Sequence, residues 1–313
     1  MNESSPMSHS PVSVIILTYN EETTIEECLS FLDWADDVIL VDSFSTDRTV
    51  EVALAARSDL RVFQHSFEDF GAQRNYALDE TSPAHEWVLF LDADEHCNSD
   101  CQRGIQEAVK NPREYVGFFL TCRNMFLGRW IKRCTLYPSW QLRLLKRGEV
   151  RYRKEGHGQR EVTDGPLGYI EEPYDHYGFI NGLEHWIARH NKYSTNEVEL
   201  IQHLRTQPLA LGDLMRRDPI LRRRCLKRLA ARFGFRPLTR FVYLYFLRFG
   251  FLDGWAGFQF CLLRVAHEIH ITAKLAEAEY KSSHTAQAVI SRTTENQETG
   301  SGAHLVHAVS SQS

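Results

Sequence analysis

The chain has 313 residues, enough to bury a full core, and its content of 43% hydrophobic and 25% charged residues is ordinary for a globular protein. Its formal net charge of −5 argues against bulk affinity for nucleic acid, which requires a basic surface to displace counterions. We therefore expect a globular protein without a nucleic-acid partner.

The cysteines and the first residues of the sequence indicate the cellular compartment of the protein. The seven cysteines are scattered and form no C-x-x-C pair, which is typical of reduced, buried thiols and not of a disulfide framework. Residues 1–11 lack the basic start and apolar run of a signal peptide, and we expect them to be disordered. Both features predict a cytoplasmic protein.

Short apolar runs alternate with helical patterns from residue 12 to residue 122. Strands are predicted at VSVIIL (12–17), VILV (38–41), LRVF (60–63), WVLFL (87–91) and YVGFFLT (115–121). Helices are predicted between the first four of these strands, at about 21–33, 46–56 and 71–79. Apolar strands separated by helices indicate an α/β fold with a mostly parallel sheet covered on both faces.

Three polar segments follow strands of this predicted sheet. They are TYNEE (18–22), DSFSTD (42–47) and DADE (92–95). Ligands of such sheets bind at the carboxyl ends of the strands, so we expect the three segments to meet at one edge and form the binding site.

The DADE segment supplies two carboxylates, Asp92 and Asp94, one residue apart. Such a pair suits a hard divalent cation, Mg²⁺ or Mn²⁺, whose other ligands are the phosphates of a substrate. The alternative is a solvated turn, since aspartate-rich turns are common. Glu95 is expected to have no direct role.

The other two segments suit the nucleoside part of a nucleotide. Asp42 could accept a hydrogen bond from a base or a ribose, or could form an Asx-turn after the strand. Thr18, Asn20 and Glu21 could contact the same nucleotide, or could cap the helix that follows. The chain contains no dinucleotide fingerprint and no P-loop, so metal and side chains must balance the phosphate charge.

The carboxyl-terminal third changes character. Residues 216–240 carry ten Arg or Lys and one acid, and an aromatic-rich stretch follows at 241–269. Charges interrupt that stretch before it reaches the roughly 18–20 apolar residues that span a bilayer. It suits a helical region in the membrane interface, attracted to anionic lipid. The alternative is a helical subdomain with a solvated basic face. The tail from residue 281 is polar, and we expect disorder.

These segments resemble glycosyltransferase family 2, the inverting enzymes of the GT-A (Rossmann-like) fold. LTYNEE (17–22), VDSFSTDRT (41–49) and LFLDADE (89–95) are similar to its three signatures in order and spacing. Further motifs resemble a membrane-associated subgroup that includes lipopolysaccharide-core β-glucosyltransferases. They are PSWQLRLLKRG (138–148), GHGQREV (156–162), PYDHYGF (173–179), RHNKYS (189–194) and GFLDGWAGF (250–258).

The resemblance assigns roles by position. It implies that Asp42 binds uracil, that Asp92 faces the ribose, and that Asp94 is a direct metal ligand. His176 resembles a histidine that ligates the metal or binds the diphosphate. Glu161 occupies the position of the catalytic base.

Two departures bear on these roles. The common VDDGSTDGT reads VDSFSTDRT, so Ser43 and Phe44 replace an Asp and a Gly. Near Glu161 the family's Val-His-Glu reads Gln-Arg-Glu, and the nearby acid Glu155 leaves the identity of the base open. Arg143 is a further expected donor contact, although single arginines are more often surface charges.

The resemblance implies an inverting hexosyltransferase that transfers a sugar from a nucleotide donor, expected to be a UDP sugar, to a lipid-linked or lipopolysaccharide acceptor at the inner face of the cell membrane. The alternatives are a nucleotidyltransferase that makes activated sugars, and a catalytically silent membrane-bound relative. The expected regions are a donor half (12–122), an acceptor and catalytic half (123–210), a membrane-interface region (211–280) and a disordered tail (281–313).

Overall fold

The computed structural model describes residues 11–155, 158–215, 219–232 and 234–302. The strands are β1 (Val12–Thr18), β2 (Asp37–Asp42), β3 (Arg61–Gln64), β4 (Trp87–Asp92), β5 (Glu95–His96), β6 (Gly117–Leu120), β7 (Cys122–Phe126), β8 (Arg129–Trp130), β9 (Gln141–Lys146), β10 (Arg151–Glu155), β11 (Gly158–Val162), β12 (Leu167–Tyr169) and β13 (Tyr174–His176).

The α-helices are α1 (Ile25–Ser30), α2 (Thr49–Ala56), α3 (Phe70–Glu80), α4 (Ser99–Lys110), α5 (Gly182–Thr206), α6 (Pro219–Arg232), α7 (Arg236–Phe241) and α8 (Gly254–Gly302). Shorter helical segments are the 3₁₀ turns Leu211–Met215 and Gly250–Asp253 and the π-helix Val242–Leu247. The described part of the chain includes no helix with the length and apolar character needed to cross a membrane.

A seven-stranded sheet in the order β12-β6-β9-β4-β1-β2-β3 is the framework. Its strands are parallel except for β9, which lies antiparallel between β4 and β6. Strand order reverses at β1, which pairs with β2 on one side and with β4 on the other. The prediction of a mostly parallel α/β sheet is confirmed, and the carboxyl ends of β1 and β4 lie at its switch point.

Apolar side chains cover both faces of the sheet. On one face, Val14, Ile16 and Leu89 pack with residues of α1, α2 and α4. On the other, Ile15 and Phe90 pack with α3 and with the start of β10. Neighbouring residues of one strand therefore enter opposite layers, as the two-residue period of a strand requires.

The first helix is shorter than the predicted 21–33. The backbone N–H groups of Asn20, Glu21 and Glu22 donate instead to side chains of the loop after β2. Asn20 has a left-handed φ of 56° and residues 22–24 form a turn, so α1 begins only at Ile25.

Two smaller sheets complete the amino-terminal part. One is the β10–β11 hairpin, and the other has the order β5-β13-β7-β8. All seven cysteines are free and buried, in agreement with the prediction. In the described part of the chain α8 continues to Gly302, and the disordered tail from residue 281 stays a prediction. Extending an existing helix avoids the cost of nucleation, so a polar sequence can remain helical.

The chain divides into two compact units. Unit 1 comprises Met1–Arg189 and Phe241–Leu262, and unit 2 comprises His190–Arg240 and Leu263–Ser313. The core of unit 2 is formed by Val198, Ile201, Ala231, Ile271 and Leu275. The predicted regions 12–122, 123–210 and 211–280 divide the chain by function and stay a prediction.

Candidate active site

The loop after β1 is joined to the loop after β2. Thr18, buried at the end of β1, donates from Oγ1 to Asp42 Oδ1 over 3.1 Å. Asn20 adopts a left-handed φ of 56°, and its Oδ1 accepts a hydrogen bond of 2.8 Å from the N–H of Thr46. The structure therefore brings Thr18, Asn20 and Asp42 together as predicted, and their side chains hold the two loops in place.

Asp42 is fully buried. Its carboxylate accepts hydrogen bonds from the N–H of Ser45 at 2.9 Å and from Ser45 Oγ at 2.5 Å. These contacts form a tight turn, the alternative considered for this residue. Phe44, in this turn, has a φ of 59° and is 51% exposed. A glycine would adopt this conformation without strain, which agrees with the glycine of the common family pattern.

Asp92 lies between two buried arginines. Arg143 on β9 donates from Nη2 to Asp92 Oδ2 over 3.1 Å, and Arg74 on α3 places Nη2 at 3.6 Å from Asp92 Oδ1. Both guanidinium groups are almost inaccessible, whereas the side chain of Asp92 is 40% exposed. The exposed carboxylate thus marks the point where the site opens to solvent.

Glu95, expected to have no direct role, is a buried partner of Arg143. It accepts a hydrogen bond from Arg143 Nη2, and its other oxygen accepts the N–H of Asp92 at 3.0 Å. The chain turns back after Asp92, so that the third acid points inward beneath the site, and the absence of a direct role for Glu95 stays a prediction. One arginine therefore holds two carboxylates.

The pKa values of the two carboxyl groups move in opposite directions. The partial burial of Asp92 opposes its ionisation, but the charges of Arg143 and Arg74 outweigh this effect and lower the pKa of Asp92 to about 2. Burial raises the pKa of Glu95 to about 7 even though Arg143 is its neighbour. Asp92 is consequently the permanent negative charge of the pair at neutral pH.

Asp94 and His176 are in contact. Nε2 of His176 lies 3.3 Å from Asp94 Oδ2, and its Nδ1 lies 3.0 Å from Asn124 Oδ1. Burial opposes protonation of the ring, but the hydrogen bond and charge of Asp94 hold the pKa of His176 well above its ordinary value. A Cβ at Gly178 would lie 3.0 Å from the ring, so glycine allows the chain to pass close beside it.

Glu21, in the loop after β1, lies near Asp94. Its Oε2 accepts hydrogen bonds from Thr24 Oγ1 at 2.9 Å and from Asn181 Nδ2 at 3.4 Å. Burial raises the pKa of its carboxyl group, and the negative charge of Asp94 adds to the effect. Glu21 and Asp94 are thus close enough to interact electrostatically.

The described residues contain no group of three or more His, Cys, Asp or Glu side chains arranged to hold a metal ion. A Mg²⁺ or Mn²⁺ ion bound by one or two carboxylates completes its shell with water and substrate phosphate, so a full protein cage is not needed. Asp94 and the exposed oxygens of Asp92 fit that requirement. In addition, Arg143 Nη1 and Arg74 Nε are buried and have no hydrogen-bond partner among the described residues, which suits an anionic ligand.

The candidate bases lie on the β10–β11 hairpin. Its backbone is fixed to α3, because Asn75 Nδ2 donates to Tyr152 O over 2.8 Å and Asn75 Oδ1 accepts the N–H of Tyr152 at 3.0 Å. Gln159 accepts a hydrogen bond of 2.8 Å from Arg74 Nη1. Glu161, opposite Tyr152 and two residues beyond Gln159, shares the strand face of Gln159.

The structure thus connects the strand of Glu161 to Arg74 and, through it, to Asp92. The backbone of Glu155 pairs with Gly158 at the other end of the hairpin. The Glu155 side chain and residues 156–157 lie outside the described part, so the choice between the two candidate bases remains a prediction.

The sequence reasoning missed Arg74, Glu95 and Asn124. Arg143 did carry a signal, because it is the one charge inside the apolar run LRLL of β9, and a buried arginine requires a buried acid. That acid is Glu95. Arg74 and Asn124 lie in segments whose pattern gives no such signal, and the fold alone brings them to the site.

A family model described as Glycosyl transferase family 2 matches residues 13–177, more than half of the chain. The chain therefore belongs to glycosyltransferase family 2, and its sheet and flanking helices form the GT-A type of α/β fold.

The chain is similar to two curated proteins in particular. The lipopolysaccharide core biosynthesis glycosyltransferase LpsC of Rhizobium meliloti (strain 1021) is 28% identical over 191 residues, which are 59% of this chain and 69% of LpsC. The SPbeta prophage-derived glycosyltransferase SunS of Bacillus subtilis (strain 168) is 26% identical over 209 residues, 65% of this chain and 45% of SunS. The match thus spans less than half of SunS.

Among solved structures, the chain is similar to the mannosyltransferase PcManGT from Pyrobaculum calidifontis in complex with GDP-Man and Mn²⁺. The TM-score is 0.46 and the sequence identity 17%, with 86% of this chain and 87% of that chain covered.

Proposed function

We propose that this protein is an inverting hexosyltransferase. It transfers a hexose from a nucleotide sugar, with UDP as the nucleotide, to a membrane-held glycolipid, lipopolysaccharide core or other cell-surface glycan. Membership of the glycosyltransferase family supports the reaction class. The similarity to a protein of lipopolysaccharide core biosynthesis supports the acceptor class.

The observation that carries the proposal is the charge arrangement at the carboxyl end of β4. Asp92, two residues before Asp94, lies beside two buried arginines, each with a buried nitrogen that has no hydrogen-bond partner in the part of the chain that the structure describes. Leaving such donors unpaired costs free energy, and an incoming anion would remove that cost. A nucleoside diphosphate meets both requirements, because its phosphates accept from arginine and share a divalent cation with carboxylates.

The residues have distinct tasks in the proposed reaction. Glu161, or Glu155 in its place, removes the proton from the attacking hydroxyl of the acceptor. Arg143 and Arg74 stabilise the negative charge that grows on the departing diphosphate. Attack on the side of the anomeric carbon opposite to the leaving group inverts its configuration.

Asp94, with Asp92 and His176 beside it, would hold the Mg²⁺ or Mn²⁺ ion. When bound, the ion supplies Lewis-acid stabilisation of the leaving diphosphate. His176 Nε2 lies 3.3 Å from Asp94 Oδ2. Thr18, Asn20, Glu21 and Asp42 shape the adjoining pocket edge for the nucleoside.

Replacement of Asp94 tests the metal and donor assignment. We expect Asp94→Ala to abolish manganese-dependent hydrolysis of a UDP-hexose, because a direct ligand is lost. The matched control is Asp33→Ala, which removes an exposed aspartate of the loop after α1 and should hydrolyse the donor at the normal rate.

Unchanged turnover in Asp94→Ala would contradict the metal assignment. Release of pyrophosphate from a nucleoside triphosphate and a sugar phosphate would instead identify a nucleotidyltransferase. If a panel of nucleotide sugars gave neither binding nor hydrolysis, the protein would be a catalytically silent relative.

A further inference from the structure

An unusually apolar surface lies in the carboxyl-terminal segment of unit 1. Within 14 residues, eight large hydrophobic side chains are exposed, with Leu247 at 67% and Trp255 at 69%. We name this surface the apolar face; it consists of Val242, Tyr243, Phe246, Leu247, Phe249, Phe251, Leu252 and Trp255. Single exposed apolar residues are common, but this many within one short segment indicate an interaction surface.

Hydrogen bonds join the segment that carries the apolar face to residues 133–137. Arg248 donates from Nη2 to the carbonyl oxygens of Thr135 at 3.2 Å and Tyr137 at 3.1 Å. The buried carboxylate of Asp253 accepts the N–H groups of Arg133 at 2.7 Å and Cys134 at 2.9 Å. The charged side chains Arg248 and Asp253 thus bind backbone groups inside the protein, and the apolar side chains of the segment remain exposed to solvent.

Close packing fixes the same segment further. A Cβ at Gly250 would lie 2.5 Å from Cys134 Sγ, and one at Gly257 would lie 3.3 Å from it. Phe249 has a left-handed φ of 58°, a conformation that a bulky side chain rarely adopts. The exposure of these rings therefore results from a built structure and not from a frayed end.

The neighbouring surface is cationic. Arg129, Lys132 and Arg133 are exposed on the segment that supports the apolar face, and the Arg129 guanidinium lies beside Gly254. The sequence ranges 127–138 and 241–262 contain one acid, Asp253, which is buried. The whole chain has a net charge of −5, so positive charge is concentrated here against the overall balance.

Three cations of the basic segment at 216–240 have partners within the protein. Arg228 and Arg232 donate to carbonyl oxygens at the end of α5 and in the residues after it. Arg236 pairs with the buried Glu268 at 2.9 Å. These cations stabilise unit 2 internally.

We propose that the apolar face enters the headgroup region of an anionic bilayer, with Arg129, Lys132 and Arg133 against lipid phosphates. Aromatic and aliphatic side chains next to cations are the composition that binds this interface. This inference adds a membrane-binding surface to the proposed function, and it rests on the part of that function which places the acceptor in a membrane.

Vesicle sedimentation tests the contact with the full chain. Vesicles of phosphatidylglycerol and phosphatidylcholine in equal parts should bind the protein, and vesicles of phosphatidylcholine alone should bind it more weakly. The double variant Leu247→Glu, Leu252→Glu should reduce partitioning at least about tenfold, because two apolar side chains no longer leave water. The charge-matched control is Leu54→Glu, Leu211→Glu, which changes exposed leucines elsewhere and should bind normally.

The cations are tested separately with Arg129→Gln, Lys132→Gln and Arg133→Gln. Each should weaken binding to the anionic vesicles about fivefold and leave binding to phosphatidylcholine unchanged. Equal loss on both vesicles would contradict the role given to the charges.

Tryptophan fluorescence gives a second readout. Acyl-brominated phosphatidylcholine in the anionic vesicles should quench part of the emission, and Trp255→Phe should remove that quenching. Trp140→Phe, which changes another exposed tryptophan, should retain it.

Normal vesicle binding by the Leu247→Glu, Leu252→Glu variant would overturn the proposal. So would self-association without vesicles that the same variant abolishes, because the apolar face would then join two copies of the chain. Hydrolysis of the donor is measured without vesicles and should be normal in this variant, which also shows that it folds. A failure of the membrane contact is therefore distinguishable from a failure of the proposed reaction.

Discussion

Arg143 is fully surrounded by protein, and its charge is balanced by Asp92 and Glu95. An isolated charge in this position would be very costly, and removing one partner of a buried pair typically costs about 3–5 kcal/mol. Because Arg143 fixes the orientation of Asp92, the carboxylate is held ready at the open side of the site. The same pairing explains why the third acid of DADE is kept inside the protein.

The identity of the base is a prediction at the scale of one residue. We expect Glu161→Gln to slow hydrolysis of a UDP-hexose by about 10²–10⁴-fold, because the amide cannot accept the proton of the attacking water. Affinity for UDP, measured by calorimetry, should not change. Glu149→Gln, on the exposed turn before β10, is the matched control and should be fully active.

The alternative assignment gives the opposite pattern. If Glu155 were the base, Glu155→Gln would show the large loss and Glu161→Gln would retain activity. A large loss of UDP affinity in Glu161→Gln would point to donor binding and would contradict a role confined to proton transfer.

At the scale of elements, Asp37 joins three parts of the sheet at the edge opposite to the active site. It begins β2 and accepts hydrogen bonds from Ser13 on β1 at 2.5 Å and from the N–H of Ala84 before β4 at 2.7 Å. Arg61 on β3 pairs with its other oxygen at 2.6 Å. Burial opposes ionisation, but these donors lower the pKa of Asp37 below its ordinary 3.8.

We expect Asp37→Asn to lower the free energy of unfolding by about 1–3 kcal/mol at neutral pH, because buried donors lose their charged acceptor. A depressed pKa means that this contribution is complete above pH 3.8 and is lost as the pH falls through the lower pKa of the folded state. The difference between wild type and variant should therefore shrink in acid.

Urea unfolding at neutral pH and below pH 3.8 measures this difference. Asp33→Asn, at an exposed position, should match the wild type at both pH values. A constant difference across the range would show that the charge of Asp37 does not contribute. Hydrolysis of the donor should remain normal in Asp37→Asn, since the carboxylate is at the amino ends of the strands.

At the scale of the whole molecule, the residues proposed to bind the donor all belong to unit 1, whereas unit 2 has a core of its own. We expect Ile271→Ala to destabilise unit 2 by about 2–5 kcal/mol, because a fully buried side chain leaves a cavity. Affinity for UDP should remain normal under native conditions. Urea unfolding and calorimetry together test this expectation.

Ile39→Ala is the matched control, since Ile39 is equally buried in the central sheet of unit 1. Ile39→Ala should lower the free energy of unfolding of unit 1, which contains the proposed donor site, and should therefore also weaken the affinity for UDP. Parallel losses of UDP affinity in both variants would contradict the assignment of donor binding to unit 1 alone.

The sequence by itself determined the sheet and the edge that carries the site. Apolar runs such as WVLFL must be buried, and the polar residues that follow them must then collect at the carboxyl ends of the strands. For this reason Asp92, Asp94 and Asp42 could be identified from the sequence. The neighbourhood of Asp94 and His176 was also predicted, although only through the resemblance to a known family.

Only the tertiary structure decided which side chains meet these residues. Arg74 comes from a helix and Arg143 from an inserted antiparallel strand, and no local pattern specifies that both reach Asp92. The exposure of Leu247 and Trp255 has the same origin, because composition predicts an apolar stretch at 241–269 but not which of its side chains face outward. Hydrophobic periodicity reports which residues avoid water on average, whereas contacts between distant segments depend on how the elements pack.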